Sequence, residues 1–191
     1  MILTQLPDAP PLRRKEILRY AGVQGDAPLL EPLIDSCLAE LEGRLHYKIC
    51  YGIFPITMRE GMPSPGFAVA PSADLARNLS GCPRVLLFAA TLGLEIDRLI
   101  ARYGRTEPSR ALLLQAIGAE RIEALCDAFE AQIEEPHAPR FSPGYGDFSL
   151  EAQREIFRVL DCPRRIGLTL NESLLMSPTK SVTALIGLKN R

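Results

Sequence analysis

A short run rich in glycine and proline carries the side chains in this sequence that are best suited to bind a small molecule. It reads Arg140-Phe141-Ser142-Pro143-Gly144-Tyr145-Gly146-Asp147-Phe148. Its proline and glycines prevent a regular helix, so we expect a shaped loop. Arg140 presents a planar set of donors to a carboxylate or phosphate, Gly144 lets a ligand approach the backbone, and Tyr145 offers a flat face with a hydroxyl group. The alternative is a tight connection that only caps the next helix, and residue types alone leave both interpretations open.

A second segment with polar residues lies further along the chain and reads Asn171-Glu172-Ser173-Leu174-Leu175-Met176-Ser177-Pro178. The order and spacing of the two segments resemble a known family, the activation (reactivation) domain of cobalamin-dependent methionine synthase. The similarity is concentrated in residues 120 to 187. The upstream part, most clearly from Gly81 to Leu99, resembles the short stand-alone proteins that carry this domain alone.

The resemblance implies that the first loop binds S-adenosylmethionine. In the family the matching loop holds this ligand. Arg140 is therefore expected to bind the ligand's carboxylate. Ser142, Pro143, Gly144 and Tyr145 are expected to contact its adenine through backbone and aromatic groups.

Two acids complete the ligand-binding set that the resemblance implies. Asp127 aligns with a helical acid of the family's site, where the larger enzymes have Glu, and it is the candidate for the ligand's amino group. Glu172 belongs to the second segment and is either a ligand contact or an organiser of its loop. His46 and His137 match no ligand position of the family, and we interpret both as surface or structural residues.

The family's chemistry implies a function that needs a partner. The family's domain closes over cobalamin carried on a separate corrinoid-binding domain. When cob(I)alamin is oxidised to inactive cob(II)alamin, one electron and a methyl group from S-adenosylmethionine restore methylcobalamin. The electron donor is expected to be flavodoxin-like or another low-potential protein. With 191 residues the chain has no room for homocysteine, folate or cobalamin domains, so we expect it to act in trans on a methionine synthase core.

In this interpretation the chain is a component of the methyltransferase system of methionine biosynthesis, with no catalytic side chain and no metal ligand of its own. Two alternatives stay open. The chain could serve another corrinoid methyltransferase, or it could be a non-catalytic module that binds a corrinoid protein. The family's tryptophan-containing segment has no counterpart, because this sequence has no Trp.

Composition narrows the choice of partner and compartment. Hydrophobic residues make up 47% of the chain and charged residues 24%, with a formal net charge of -1, so neither nucleic acid nor an anionic membrane is expected as a partner. The longest apolar run is far shorter than the roughly 20 residues that span a bilayer. No signal peptide is recognised, and the five dispersed cysteines favour small buried groups in a reduced, cytoplasmic protein.

The periodicity of apolar residues predicts an α+β fold, with a mainly antiparallel sheet and packed helices, in a single domain over residues 1–191. Residues 1–11 are expected to be a flexible arm. Strands are predicted at 47–53, 67–70, 84–90, 166–170 and 181–188. Helices are predicted at 13–21, about 28–44, 73–79, 94–103, 107–135 and 149–161. Asp26 and Ser72 are predicted helix caps, and residues 61–66 a break.

Overall fold

The computed structural model describes residues 1–25, 27–59, 62–67 and 70–190, and all structural statements below concern these residues. The strands are β1 (Ile2–Gln5), β2 (Lys48–Arg59), β3 (Met62–Pro65), β4 (Arg84–Thr91), β5 (Thr169–Leu170), β6 (Met176–Ser177) and β7 (Ser181–Leu188). The helices are α1 (Arg14–Tyr20), α2 (Glu31–Leu41), α3 (Ala73–Asn78), α4 (Glu95–Tyr103), α5 (Pro108–Glu130), α6 (Ala152–Leu160) and α7 (Cys162–Ile166).

The main sheet is antiparallel and has the order β1-β2-β4-β7, with β3 paired to the far end of β2. β4 lies inside the sheet and is paired along its whole length, with β2 on one side and β7 on the other. Helices cover both faces of the sheet, which explains why the sequence of β4 is almost continuously apolar. The predicted α+β class with a mainly antiparallel sheet is confirmed.

The two faces of β4 belong to different parts of the core, because side chains of a strand alternate between faces. Val85, Leu87 and Ala89 pack with α6 and α7. Leu86 and Phe88 pack with the C-terminal half of α5. The first face thus lies under the segment that follows the glycine-rich loop, and the second lies under the helix that precedes it.

Helix α5 connects the sheet to a cluster of helices. It has 23 residues and is about 35 Å long at 1.5 Å per residue. Its first half packs with α1, α2 and α4, and its second half lies on the sheet. Gly118, near its middle, lies so close to α4 that an added Cβ would be 2.8 Å from Ile96 Cδ1. The predicted central helix is confirmed, although it ends at Glu130 and not at residue 135, and Gly118 allows the close crossing.

The N-terminal segment differs from the predicted flexible arm. Residues Ile2–Gln5 form β1 and pair with β2, from Ile2 opposite Gly52 to Gln5 opposite Ile49. Pro10 is buried, and its carbonyl accepts a hydrogen bond from Arg121 Nη1 at 2.6 Å. The prediction of an arm over residues 1–11 was wrong, because the partners of this segment are far away in the sequence. The assignment of residues 1–191 to one domain stays a prediction.

The strand predicted to end before Pro55 continues to Arg59. Pro55 is the last residue of β2 that pairs with β4, and from Ile56 onward β2 pairs with β3 instead. A change of partner at this point accommodates the missing N–H of proline. Part of the predicted 61–66 break is therefore the strand β3. The predicted strand at 67–70 and the Asp26 cap fall on residues 68, 69 and 26, which lie outside the described part of the chain.

The segment after α6 also differs from the prediction. Cys162–Ile166 form α7, with Pro163 in the first turn, where proline is favourable because no N–H is needed. The predicted strand at 166–170 is reduced to Thr169–Leu170. Helix α6 begins at Ala152 rather than at Ser149. The Ser72 cap of α3 is confirmed by a hydrogen bond of 3.0 Å from Leu75 N–H to Ser72 Oγ.

Candidate functional site

The chain that leaves α5 runs along the outer edge of β7 before it forms the glycine-rich loop. Ala138 N–H donates to the Gly187 carbonyl at 2.8 Å. Phe141 and Leu185 exchange two backbone hydrogen bonds of 2.9 Å each. These bonds satisfy backbone groups at the edge of the sheet and fix Arg140 next to β7.

The loop itself is a compact turn in which the glycines have positive φ angles. Gly144 has φ +94°, and its N–H donates to the Phe148 carbonyl at 2.7 Å. Phe148 N–H donates back to the Tyr145 carbonyl at 2.9 Å. Phe148 is 1% exposed and packs into the core, whereas Tyr145 is 60% exposed. The turn therefore uses one aromatic residue as an anchor and leaves the other at the surface.

Asp147 attaches the loop to the N-terminus of α3. Its carboxylate accepts hydrogen bonds from the Ser72 hydroxyl and from the N–H groups of Ala73 and Asp74, the last two at 2.8 and 3.1 Å. These bonds hold the pKa of Asp147 below its ordinary value, with the Ser72 hydroxyl as the main cause. Gly146, with φ +52°, passes so close to Asp74 that a side chain there would collide with the Asp74 carboxylate. The loop does cap a helix, as the alternative interpretation proposed. The capped helix is α3, which precedes the loop in the sequence, and not the helix that follows it.

Arg140 faces three acids on one side of α5. Its Nη2 lies 2.7 Å from Asp127 Oδ1 and 3.3 Å from Glu123 Oε2, and its Nε lies 3.3 Å from Glu130 Oε2. The remaining terminal nitrogen, Nη1, is buried and has no hydrogen-bond partner. Carboxylates of α5 therefore hold Nη2 and Nε of the guanidinium, and Nη1 remains as a donor without a partner.

A cleft of about 350 Å³ lies beside this donor, and we call it the Arg140 cleft. Segments from α5, the loop, α6, β6 and β7 form its walls. The residues that line it are Glu123, Arg140, Ser142, Pro143, Tyr145, Gln153, Met176, Ser181, Val182 and Thr183.

Buried polar atoms without partners are concentrated on residues that line the Arg140 cleft. Among the described residues four buried side-chain nitrogens or oxygens have no hydrogen-bond partner, and three of them belong to Arg140, Gln153 and Thr183. Gln153 and Thr183 are only 5% and 2% exposed. An unpaired buried polar atom costs about 1–3 kcal/mol, so three on one cleft are typical of a site that receives its partners from a ligand.

A second cleft, about 710 Å³, lies between the N-terminal segment and the end of α2, and we call it the Arg121 cleft. Arg121 lies at its wall, and its guanidinium donates to Glu120 and to the carbonyls of Pro10 and Pro11 at 2.5 to 2.7 Å. Burial raises the pKa of Tyr47, which also lines this cleft, while the nearby Arg121 opposes that shift. None of the residues lining the cleft, all of which belong to the described chain, has a buried side-chain nitrogen or oxygen without a partner.

Four of the seven predicted site residues line the Arg140 cleft, and the other three do not. Arg140, Ser142, Pro143 and Tyr145 line the Arg140 cleft, and Gly144 shapes the turn between them.

The two predicted acids are elsewhere. Asp127 is not among the residues that line the cleft and contacts Arg140 from the side of α5. Glu172 lies at the exposed tip of the β5–β6 hairpin, where its carbonyl accepts a hydrogen bond of 2.9 Å from Arg154 Nη2.

The polar residues of the cleft that sequence reasoning did not select include Glu123, Gln153 and Thr183. Glu123 had a detectable signal, because it lies four residues before Asp127 and so on the same side of the helix. Gln153 and Thr183 had none, since they come from α6 and β7 and meet the loop only in the folded chain.

Comparisons with known proteins agree with the fold. No protein-family model matches the sequence, and no curated protein matches it either. Among solved structures, the chain is similar to the crystal structure of the MetH reactivation domain bound to AdoHcy, with a TM-score of 0.72 and 14% sequence identity. The match covers 98% of this chain and 78% of the other. The chain therefore has the fold of a reactivation domain, which is the fold that the sequence resemblance predicted.

The described residues lack both a membrane-spanning helix and a cluster of metal-ligating side chains. None of the helices they form is long and apolar enough to cross a membrane. Within the same residues, His, Cys, Asp and Glu side chains form no group of three or more that could hold a metal ion. All five cysteines are buried, as predicted.

Proposed function

We propose that the Arg140 cleft binds S-adenosylmethionine and that the protein uses it to reactivate a cobalamin-dependent methionine synthase in trans. The observation that carries this proposal is the set of unpaired buried polar atoms on Arg140, Gln153 and Thr183. The fold adds support, because the similar MetH reactivation domain is bound to AdoHcy, the demethylated form of the same ligand.

The residues of the cleft fit the chemistry of this ligand. Arg140 Nη1 is a charged donor for the carboxylate of the methionine portion. Glu123, whose side chain is 40% exposed, offers a carboxylate to the ammonium group. The Gln153 carbonyl oxygen is an acceptor for an amino or hydroxyl group, and the Thr183 hydroxyl is both donor and acceptor. A volume of about 350 Å³ lies within the range of small-molecule sites, about 300–1,000 Å³.

The protein's own part in the reaction is to bind and orient the methyl donor. Arg140 and Glu123 would hold the amino-acid end of the ligand, while the loop from Ser142 to Tyr145 would form one wall. The cobalamin of the partner is the methyl acceptor, and a low-potential donor such as a flavodoxin-like protein supplies the electron. The side chains of this chain take no covalent part in the transfer.

Exposed apolar side chains occur on three segments around the Arg140 cleft. Tyr145 lies on the loop and is 60% exposed, Leu150 precedes α6 and is 40% exposed, and Leu175 lies on the β5–β6 hairpin and is 64% exposed. Contiguous exposed apolar groups are typical of a surface that a partner covers. We propose that the corrinoid-carrying partner docks here.

The first experiment is calorimetric titration of S-adenosylmethionine and S-adenosylhomocysteine into the wild type, Arg140→Lys and Gln153→Met. Lysine keeps the charge but loses the planar guanidinium, and methionine removes the amide oxygen at similar volume. We expect each variant to bind at least about tenfold more weakly. Arg158→Gln, on the exposed side of α6, is the control and should bind like the wild type.

The second experiment tests action in trans. A methionine synthase core that lacks its own reactivation domain and carries cob(II)alamin is mixed with this protein, S-adenosylmethionine and a reduced flavodoxin without oxygen. Formation of methylcobalamin, followed by its absorption spectrum, is the expected result. Ligand binding without methylcobalamin would point to another corrinoid methyltransferase, whereas no ligand binding even with the core present would leave an interaction module.

A further inference from the structure

The carboxylate of Asp127 lies between two arginine side chains. Its Oδ1 is 2.7 Å from Arg140 Nη2, and its Oδ2 is 2.7 Å from Arg13 Nη1. Both oxygens are therefore engaged by a guanidinium, although the side chain is 44% exposed. A carboxylate that already holds two cations at short distance is poorly placed to bind a third one, such as the ammonium group of a ligand.

Arg13 is itself fixed by α5. Its backbone N–H and its Nε both donate to Glu120 Oε1, at 3.1 and 3.3 Å. Glu120 is fully buried, and it lies seven residues before Asp127, so the two acids are about two turns apart on the same side of the helix. The Arg13 side chain spans them. The start of α1 is thus attached to the helix that carries the Arg140 partners.

These contacts determine which nitrogens of Arg140 are paired within the protein and which one is not. Asp127 and Glu123 hold Nη2, and Glu130 lies against Nε, which leaves Nη1 as the donor without a partner. If Asp127 were free to accept from both terminal nitrogens of Arg140, as carboxylates commonly do, the guanidinium would turn toward α5 and Nη1 would be paired there. Arg13 prevents this by occupying the second oxygen of Asp127.

We propose that Arg13 and Asp127 are positioning residues, which through the ion-pair chain Arg13–Asp127–Arg140 present the guanidinium of Arg140 to the carboxylate of an amino-acid ligand. The inference rests on the proposed function for the identity of the ligand. It gives Asp127 a different role from the one expected by resemblance, since Asp127 acts on Arg140 and not on the ligand. It also makes the N-terminal segment part of the site.

The test compares two ligands that differ in the carboxylate. S-adenosylhomocysteine has the amino-acid portion, and 5′-methylthioadenosine lacks it. In Arg13→Gln and Asp127→Asn we expect the affinity for S-adenosylhomocysteine to fall about tenfold, while the affinity for methylthioadenosine stays within about twofold of the wild type. A general disturbance of the cleft would weaken both ligands equally, and that result would overturn the proposal.

Three further variants sharpen this comparison. The double variant Arg13→Gln/Asp127→Asn should bind S-adenosylhomocysteine no more weakly than Asp127→Asn alone, because both residues act through the same chain of contacts. Asp127→Glu, which keeps the charge, should recover most of the affinity. Arg19→Gln, on the same helix as Arg13 but paired with Glu16, is the control and should have no effect.

A measurement without ligand separates this inference from the proposed function. The Nε–Hε signal of Arg140, assigned by its loss in Arg140→Lys, reports the orientation of the guanidinium in the nuclear magnetic resonance spectrum. It should shift in Arg13→Gln and in Asp127→Asn but not in Arg19→Gln. If the wild type binds neither ligand, the proposed function fails, but the shift of this signal still tests whether Arg13 and Asp127 orient Arg140. A signal that does not shift in Arg13→Gln and Asp127→Asn would overturn the positioning role of these two residues.

Discussion

The Arg121 cleft, about 710 Å³, is twice as large as the Arg140 cleft, about 350 Å³, yet none of its described lining residues has a buried side-chain nitrogen or oxygen without a partner. Arg121 is bound by Glu120 and by two backbone carbonyls. In the Arg140 cleft, by contrast, Arg140, Gln153 and Thr183 each have a buried polar atom without a partner. Folding normally pairs such atoms. The presence of buried polar atoms without partners, rather than cleft volume, therefore distinguishes the Arg140 cleft as the candidate ligand site. The charged groups of the Arg121 cleft instead stabilise the fold.

The largest effect on stability is expected from Arg121→Met in the Arg121 cleft. The change leaves the fully buried Glu120 with Arg13 as its remaining cation, and breaking a buried ion pair typically costs about 3–5 kcal/mol. Urea denaturation measures the free energy of unfolding. The double variant Glu120→Gln/Arg121→Met should recover part of the loss, and a single variant within about 1 kcal/mol of the wild type would contradict a structural role for this pair.

The next largest effect is expected from Gly146→Ala in the loop of the Arg140 cleft. The residue has a positive φ, and the added methyl group would displace the Asp74 carboxylate and with it the attachment of the loop to α3. We expect a loss of about 2–3 kcal/mol in unfolding free energy, together with weaker ligand binding. Gly144→Ala is the matched control, because its Cβ would contact only Leu150 at 3.6 Å and should cost only about 1 kcal/mol.

Thr183→Val separates ligand binding from stability. The Thr183 hydroxyl has no partner in the free protein, so its removal should leave the free energy of unfolding unchanged or raise it. The same change should weaken S-adenosylhomocysteine binding about five- to tenfold, because the ligand loses a hydrogen bond. Tyr47→Phe, which removes a hydroxyl from the Arg121 cleft, is the control and should leave ligand binding unaltered. If both variants weaken binding equally, the Arg140 cleft is not the ligand site in preference to the Arg121 cleft.

The smallest effect concerns the pH dependence of the loop attachment. Because hydrogen bonds lower the pKa of Asp147 in the folded protein, its contribution to stability is fully present above the ordinary value of 3.8. That contribution is lost as the pH falls below 3.8 toward the lower pKa of the folded state. The difference in unfolding free energy between the wild type and Asp147→Asn should therefore shrink in this acid range. A difference that stays constant from about pH 6 to pH 3 would contradict the assignment.

Much of the fold could be predicted from local patterns. The apolar run of β4, the strand β7 and the Ser72 cap of α3 all follow from side-chain periodicity or capping preference, which act between residues close in the sequence. The errors have two other causes. β1 and the continuation of β2 beyond Pro55 depend on pairing with distant strands, and α7 depends on a proline that begins a helix instead of ending one.

The same division holds for the candidate site. The loop from Arg140 to Phe148 could be predicted from residue types, since proline fixes φ and glycine favours conformations outside a regular helix wherever they occur. The sequence also pointed to the reactivation-domain fold. That Glu123, Gln153 and Thr183 line the cleft, and that Asp127 lies between Arg13 and Arg140, became visible in the folded chain alone. Those contacts join residues far apart in the chain, and whether a buried polar atom is paired can be decided only when every neighbour is in place.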